Sequence, residues 1–277
     1  MSVTPDPARA DKPARRRVRS KTAVFSEALS LRPPSLWQLL LEGRAPLELW
    51  ASVLGFPLLQ RAPRGDGHPV LVFPGLVAGD ITTAPLRAYL QHLGHACFGW
   101  DQGVNLGPRH GVLAQCRARI AQLHADSGRR VSLVGWSLGG LYAREMAKLM
   151  PKQVRAVVTL GSPFAGHPHA TNAWRVFELA SGHSAMDPNL RDRLRSAPKV
   201  PTTSIYSKSD GIVSWQCSVQ SQGSQTENIE VLASHLGLGV NPLALYALAD
   251  RLAQAEGSWK SFSRRGIRKV FYPKVQF

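Results

Sequence analysis

At 277 residues the chain has room for one large domain or two small ones, and a 44 % apolar composition allows a sizeable core. Its net charge of +16 would suit a nucleic-acid binder if it lay on one face, but residues 1–22 hold seven Lys/Arg against two Asp, and residues 258–277 hold six against no acid. The basicity therefore belongs mainly to the two ends, which suits weak contact with an anionic membrane surface and no specific nucleic acid. No stretch reaches the roughly 18 apolar residues of a membrane span. Arg15-Arg16-Arg17 is not followed by the apolar region of a signal peptide, so a cytoplasmic, at most membrane-peripheral, protein is expected. Cys97, Cys116 and Cys217 are odd in number and widely spaced. That argues against a disulfide framework or a metal centre and makes buried free thiols the expectation.

Residues 1–22, rich in Pro, Arg and Ala, read as a disordered basic tail. An N-terminal helical extension and linker follow over 23–64. Between Ser35 and Gln60 the chain turns apolar, and Gly43 and Pro46 divide it into two short helical pieces. This segment either docks on a membrane or helps form a substrate entrance, or else packs on the main domain as a plain extension. Glu42 and Glu48 do not suit an anionic surface and favour the packed extension. Residues 61–68 read as a polar linker.

Over 65–257 strand and helix alternate. Strands are predicted at 70–73, 96–100, 131–134, 154–160, 202–206 and 229–232, and helices at 84–93, 112–124, 141–150 and 242–253. This is the pattern of an α/β domain, a mostly parallel sheet with helices on both faces. No strand is predicted between Ser162 and Lys199, and 165–199 reads as an inserted helical cap. The basic end, 258–277, reads as a second solvated tail.

One stretch organises the functional reading: Val131-Ser132-Leu133-Val134-Gly135-Trp136-Ser137-Leu138-Gly139-Gly140. A strand runs into a glycine-flanked turn with a serine at its tip, and a helix follows. That is the context of a nucleophile elbow, G-x-S-x-G. The glycines let strand and helix approach closely, and the strained turn lifts the serine hydroxyl clear of its own chain. A serine needs a base, and the base needs a third group to orient it. Asp210 follows the strand 202–206 in Ser209-Asp210-Gly211, where an ordinary Asp-Gly turn is the competing reading. His235 follows the strand 229–232, in the order Ser, Asp, His along the chain. His167, His169, His183, Asp187 and Asp192 fall in the expected cap, and His92, His95, His110 and His124 precede the serine. No histidine shows metal-ligand spacing, and neither metal nor cofactor is expected. Two backbone donors should face the oxyanion: the N–H of Leu138, next after the serine, and that of Leu76 in the loop Phe73-Pro74-Gly75-Leu76. The loop 103–108, rich in Gly, Pro and Asn, lies on the same side and either lines a pocket or is a structural turn.

Taken together, Phe73-Pro74-Gly75-Leu76, Gly135-Trp136-Ser137-Leu138-Gly139-Gly140, Gly161-Ser162-Pro163-Phe164, Ser209-Asp210-Gly211-Ile212-Val213 and Ser234-His235-Leu236-Gly237-Leu238 resemble an α/β-hydrolase of the bacterial lipase/esterase type, over about residues 68 to 256. The resemblance implies Ser137 as nucleophile, Asp210 as acid and His235 as base, with Leu76 and Leu138 donating to the oxyanion. Many lipases of this kind carry His-Gly where this chain has Pro74-Gly75, so a side-chain bond bracing that loop would be lost. Trp136, Trp174, Phe177, Trp215 and Leu236 are candidate walls of an apolar substrate pocket, with core packing as the competing reading. The expected activity is cleavage of a small acyl ester with an apolar acyl group, in lipid metabolism. A thioesterase or acyltransferase using the same triad is the alternative among enzymes. A non-catalytic protein that binds lipid or nucleic acid through basic tails is the alternative outside them.

Overall fold

The computed structural model describes residues 32–166, 168–182 and 193–274. The expected tail over 1–22 lies outside these residues.

The six strands are β1 (Pro69–Phe73), β2 (Ala96–Gly99), β3 (Val131–Trp136), β4 (Val154–Leu160), β5 (Thr202–Tyr206) and β6 (Thr226–Glu230). They form one sheet in the order β2-β1-β3-β4-β5-β6, with every pairing parallel. Val72 lies beside Val134, Val134 beside Val158, Leu160 beside Ile205, and Tyr206 beside Glu230. β1, β3 and β4 are largely apolar on both faces because helices cover both faces, whereas β5 and β6 carry buried Thr, Ser, Glu and Asn. Alternation assigns each side chain to a face. Val70 and Val72 join the apolar layer with α4 (Asp80–His92) and α8 (Pro242–Leu252). Leu71 and Phe73 join the opposite layer with α5 (Val112–Ser127) and α6 (Leu138–Leu149). The chain leaves β1 for β2 on one side and returns to β3 on the other. This creates a crevice at the carboxyl ends of β1 and β3, where open α/β sheets bind ligands.

The N-terminal extension is one run of short helices, α1 (Leu36–Leu40), a 3₁₀ turn (Leu41–Arg44), α2 (Ala45–Leu54) and α3 (Phe56–Leu59). Ser35 caps α1 through a reciprocal bond with Gln38, and Pro46 occupies the first turn of α2, where its missing N–H costs nothing. Gly43 and Pro46 thus shape the run without breaking it. The extension packs on the main domain: Ser52 donates to Val240 O, and Gln38 Nε2 donates to Lys208 O at 3.2 Å.

Three expectations change. Helix α4 begins at Asp80, not at 84, because the Asp80 carboxylate holds the next strand's end by accepting the N–H groups of Trp100 and Asp101, both at 3.0 Å. The linker 61–68 is pinned by Asp66, which accepts from Arg129 and Arg155 at 2.7 and 2.9 Å and pairs with buried His68. Residues 258–274 are not a solvated tail. Phe262 and Tyr272 are buried in the layer that holds α8, their rings 4.7 Å apart, and the Tyr272 hydroxyl donates to Leu243 O at 2.9 Å. A short helix, α9 (Arg268–Phe271), lies between them. Tyr272→Ala should therefore cost about 3 kcal/mol or more in denaturant unfolding. An unchanged midpoint would mean that this end contributes nothing to the core.

Candidate active site

Ser137 sits at the carboxyl end of β3 with φ 52° and ψ −121°, a conformation that a residue with a side chain adopts only under constraint. The constraint comes from the glycines. A Cβ on Gly139 would strike Phe73 O, and one on Gly135 would strike Gly140, so α6 can lie directly on β1 and β3. The Ser137 N–H donates to Leu160 O at 2.8 Å, which ties the turn to β4.

Asp210 follows β5. One oxygen, Oδ1, accepts the N–H groups of Ile212 and Val213 at 2.9 and 2.7 Å, and the other, Oδ2, accepts from His235 Nδ1 at 2.6 Å. A carboxylate only accepts, so His235 carries its proton on Nδ1 and leaves Nε2 as the basic nitrogen. Both side chains are buried. Gly161, at the end of β4 with φ +57°, leaves room beside this pair; a Cβ there would lie 3.1 Å from His235 Nδ1. Trp136 Nε1, one residue before the serine, donates to His235 O at 3.0 Å. Ser137, Asp210 and His235 thus stand at the carboxyl ends of strands in one half of the sheet.

The loop after β1 closes the other side. A Cβ on Gly75 would lie 3.4 Å from Ser137 Cβ, so this loop rests on the Ser137 turn. It is braced by Asn105, which is fully buried. Its Nδ2 donates to Pro74 O at 2.8 Å, its Oδ1 accepts from Gly107 N at 3.1 Å, and its carbonyl accepts from Val77 N at 2.7 Å. The brace expected to be missing beside Pro74 is supplied from the 103–108 loop. Val77 is held at φ 55°, in a region unfavourable to a β-branched residue. Among the described residues, the N–H groups of Leu76 and Leu138 donate to no protein acceptor.

A cavity of about 170 Å³ opens beside Ser137. Leu76, Leu138, Leu141, Trp174, Phe177 and Val213 give it a mainly apolar wall. Trp174 and Phe177 belong to α7 (Trp174–Ser181), and residues 193–195 are helical too. The rest of the expected cap is seen only in part, since 183–192, with His183, Asp187 and Asp192, lie outside the described residues, as does His167. The other three pocket candidates sit elsewhere. Trp136 packs beside Gly239, Trp215 stacks on Tyr206 at 5.8 Å, and Leu236 is exposed. Among the described residues no three His, Cys, Asp or Glu converge as metal ligands.

Two acids of the extension complete the site. Glu42 is buried, and its Oε1 accepts the N–H groups of Gly211 and His235 at 2.7 and 2.9 Å, while its Oε2 accepts that of Leu236 at 2.9 Å. Glu48 accepts the Ser234 N–H at 2.7 Å and the Asn241 Nδ2 at 2.9 Å. One carboxylate therefore holds both the loop of Asp210 and the loop of His235. Sequence reasoning took these glutamates only as charges; their signal was an acid inside an apolar run. Burial alone would push His235 down, but the charge of Asp210, its hydrogen bond and the charge of Glu42 raise the imidazole above its ordinary 6.5.

With that geometry in place, likeness to known proteins is decisive for the family. Residues 49–272 match the model of the Alpha/beta hydrolase family. The chain belongs to that family. No curated protein matches this hydrolase. Among solved structures, lipase B of Aspergillus fumigatus is similar at 21 % identity and a TM-score of 0.54, over 69 % of this chain and 53 % of that one. The hydrolase therefore spans about half of that lipase. The mature lipase BlEst2 of Bacillus licheniformis is similar at 14 % identity and a TM-score of 0.51, over 70 % and 95 % of the two chains. These likenesses share the hydrolase's fold.

Glu42→Gln keeps the side chain's shape and removes its charge. The His235 imidazole should then titrate at lower pH than in the wild type, followed by its ring proton resonances. An unmoved titration would make Glu42 a packing residue only.

Proposed function

We propose that this hydrolase cleaves carboxylic esters of apolar acyl groups through an acyl-enzyme on Ser137. The observation that carries the reading is the buried Asp210–His235 hydrogen bond at 2.6 Å, in a sheet that also holds Ser137 on a constrained turn at the carboxyl end of β3.

Ser137 Oγ attacks the ester carbonyl while His235 Nε2 takes its proton. Asp210 keeps Nδ1 protonated and stabilises the imidazolium that forms. The carbonyl oxygen becomes an oxyanion, and the N–H groups of Leu76 and Leu138 are its donors. As the tetrahedral intermediate collapses, the C–O bond to the alcohol breaks and His235 returns the proton to the leaving oxygen. Water, deprotonated by His235, then attacks the acyl-enzyme, releasing the acid and restoring Ser137. The apolar wall formed by Leu141, Trp174, Phe177 and Val213 supports an apolar acyl group.

Ser137→Ala should lower turnover of a chromogenic acyl ester by about a thousandfold or more. Undiminished turnover would remove Ser137 from the mechanism. The base must be neutral to accept a proton, so kcat/KM should fall as pH falls through the His235 pKa. Because that pKa is raised, the acid limb of the profile should have its midpoint above 6.5. A midpoint below that value would contradict His235 as the base in this environment.

A further inference from the structure

The N-terminal extension is built inside out. Within its helices, 36–59, the only acids are Glu42 and Glu48, and both are turned into the protein. Its large apolar side chains face outward: Leu36, Trp37, Leu40, Leu47, Trp50 and Leu54 are between 63 and 79 % exposed. Leu36 and Leu40 share one side of α1, and Leu47, Trp50 and Leu54 form one stripe on α2. Isolated exposed leucines are ordinary, but successive helices presenting leucine and tryptophan to solvent mark a contact surface. The C-terminal end, tied to α8 by the Tyr272 hydroxyl, exposes apolar side chains as well, Ile267 and Val270.

We propose that this face seats the protein on an anionic phospholipid bilayer, an interaction distinct from ester cleavage. Three observations select that occupant. The reason to doubt an anionic surface was Glu42 and Glu48, and both are sequestered against backbone N–H groups. The flanks are basic: Arg32, Arg61 and Arg64 bracket the extension, and Arg264, Arg265, Arg268 and Lys269 surround the exposed apolar residues of α9. Residues 1–22, with their excess of five positive charges, precede the extension along the chain. Juxtamembrane basic residues are drawn to anionic headgroups, and tryptophan favours the headgroup level. A second copy is a poorer occupant. Self-pairing of this face about a two-fold axis would bring two sets of basic flanks together.

The test is co-sedimentation of the full chain with phosphatidylcholine vesicles, with and without about a third phosphatidylglycerol. The wild type should partition onto the anionic vesicles and hardly onto the neutral ones. Two variants, Trp37→Ser/Leu40→Ser on α1 and Trp50→Ser/Leu54→Ser on α2, remove exposed side chains only and should unfold at the wild-type temperature. Each should lower partitioning onto anionic vesicles about tenfold or more. The proposal is overturned if the wild type sediments equally with both kinds of vesicle, or if both variants bind as well as the wild type. It is also overturned if sedimentation velocity shows a dimer that either variant dissolves.

Discussion

Removing a carboxylate from water costs roughly several kcal/mol, and the cost is recovered only where donors meet its oxygens. Glu42 meets that condition with three backbone N–H groups, those of Gly211, His235 and Leu236. The three come from two loops that follow different strands. Each loop alone would be free to shift by a fraction of an ångström, and Asp210 and His235 would shift with it. Sharing one rigid acceptor fixes them relative to each other. Glu48 repeats the device one helical step further along, on Ser234 and Asn241, while Arg44 bridges Glu48 and Ser209. The extension thus helps to orient His235 and is not an appendage to the domain.

The opposite side of the serine follows the same logic with a neutral group. Asn105 spends both ends of its amide and its own carbonyl on the loops that carry Leu76 and Gly107. The strained φ of Val77 persists because those bonds over-determine it. A buried side chain from a neighbouring loop thus fixes the backbone around Leu76 beforehand.

The parts of this architecture that could be read from the residues are those with a local signature. The strands show as β-branched runs, the elbow as glycines around a serine, and Asp210 and His235 as polar residues in glycine-bearing loops just after strands. Glu42, Glu48 and Asn105 could not be read in the same way, because their partners are main-chain groups, which every residue possesses and no sequence marks. The C-terminal end misled for a related reason. Six cations outweigh Phe262 and Tyr272 in any compositional reading, yet those two rings decide where the chain lies. The start of α4 misled because Asp80 serves the N–H groups of Trp100 and Asp101 as well as its own helix.

The bonds of Glu42 span 169 to 194 positions along the chain. During synthesis the extension is made early, and its acceptors must wait, hydrated, until nearly the whole domain has emerged. Contacts of such separation form late, since the loop they close is paid for in entropy before they are gained. The order of assembly therefore runs from sheet to site. A nascent chain can acquire its strands, its elbow and much of its core while its base loop is still unanchored. The same long span ties the first helices of the structure to His235, more than 190 positions later.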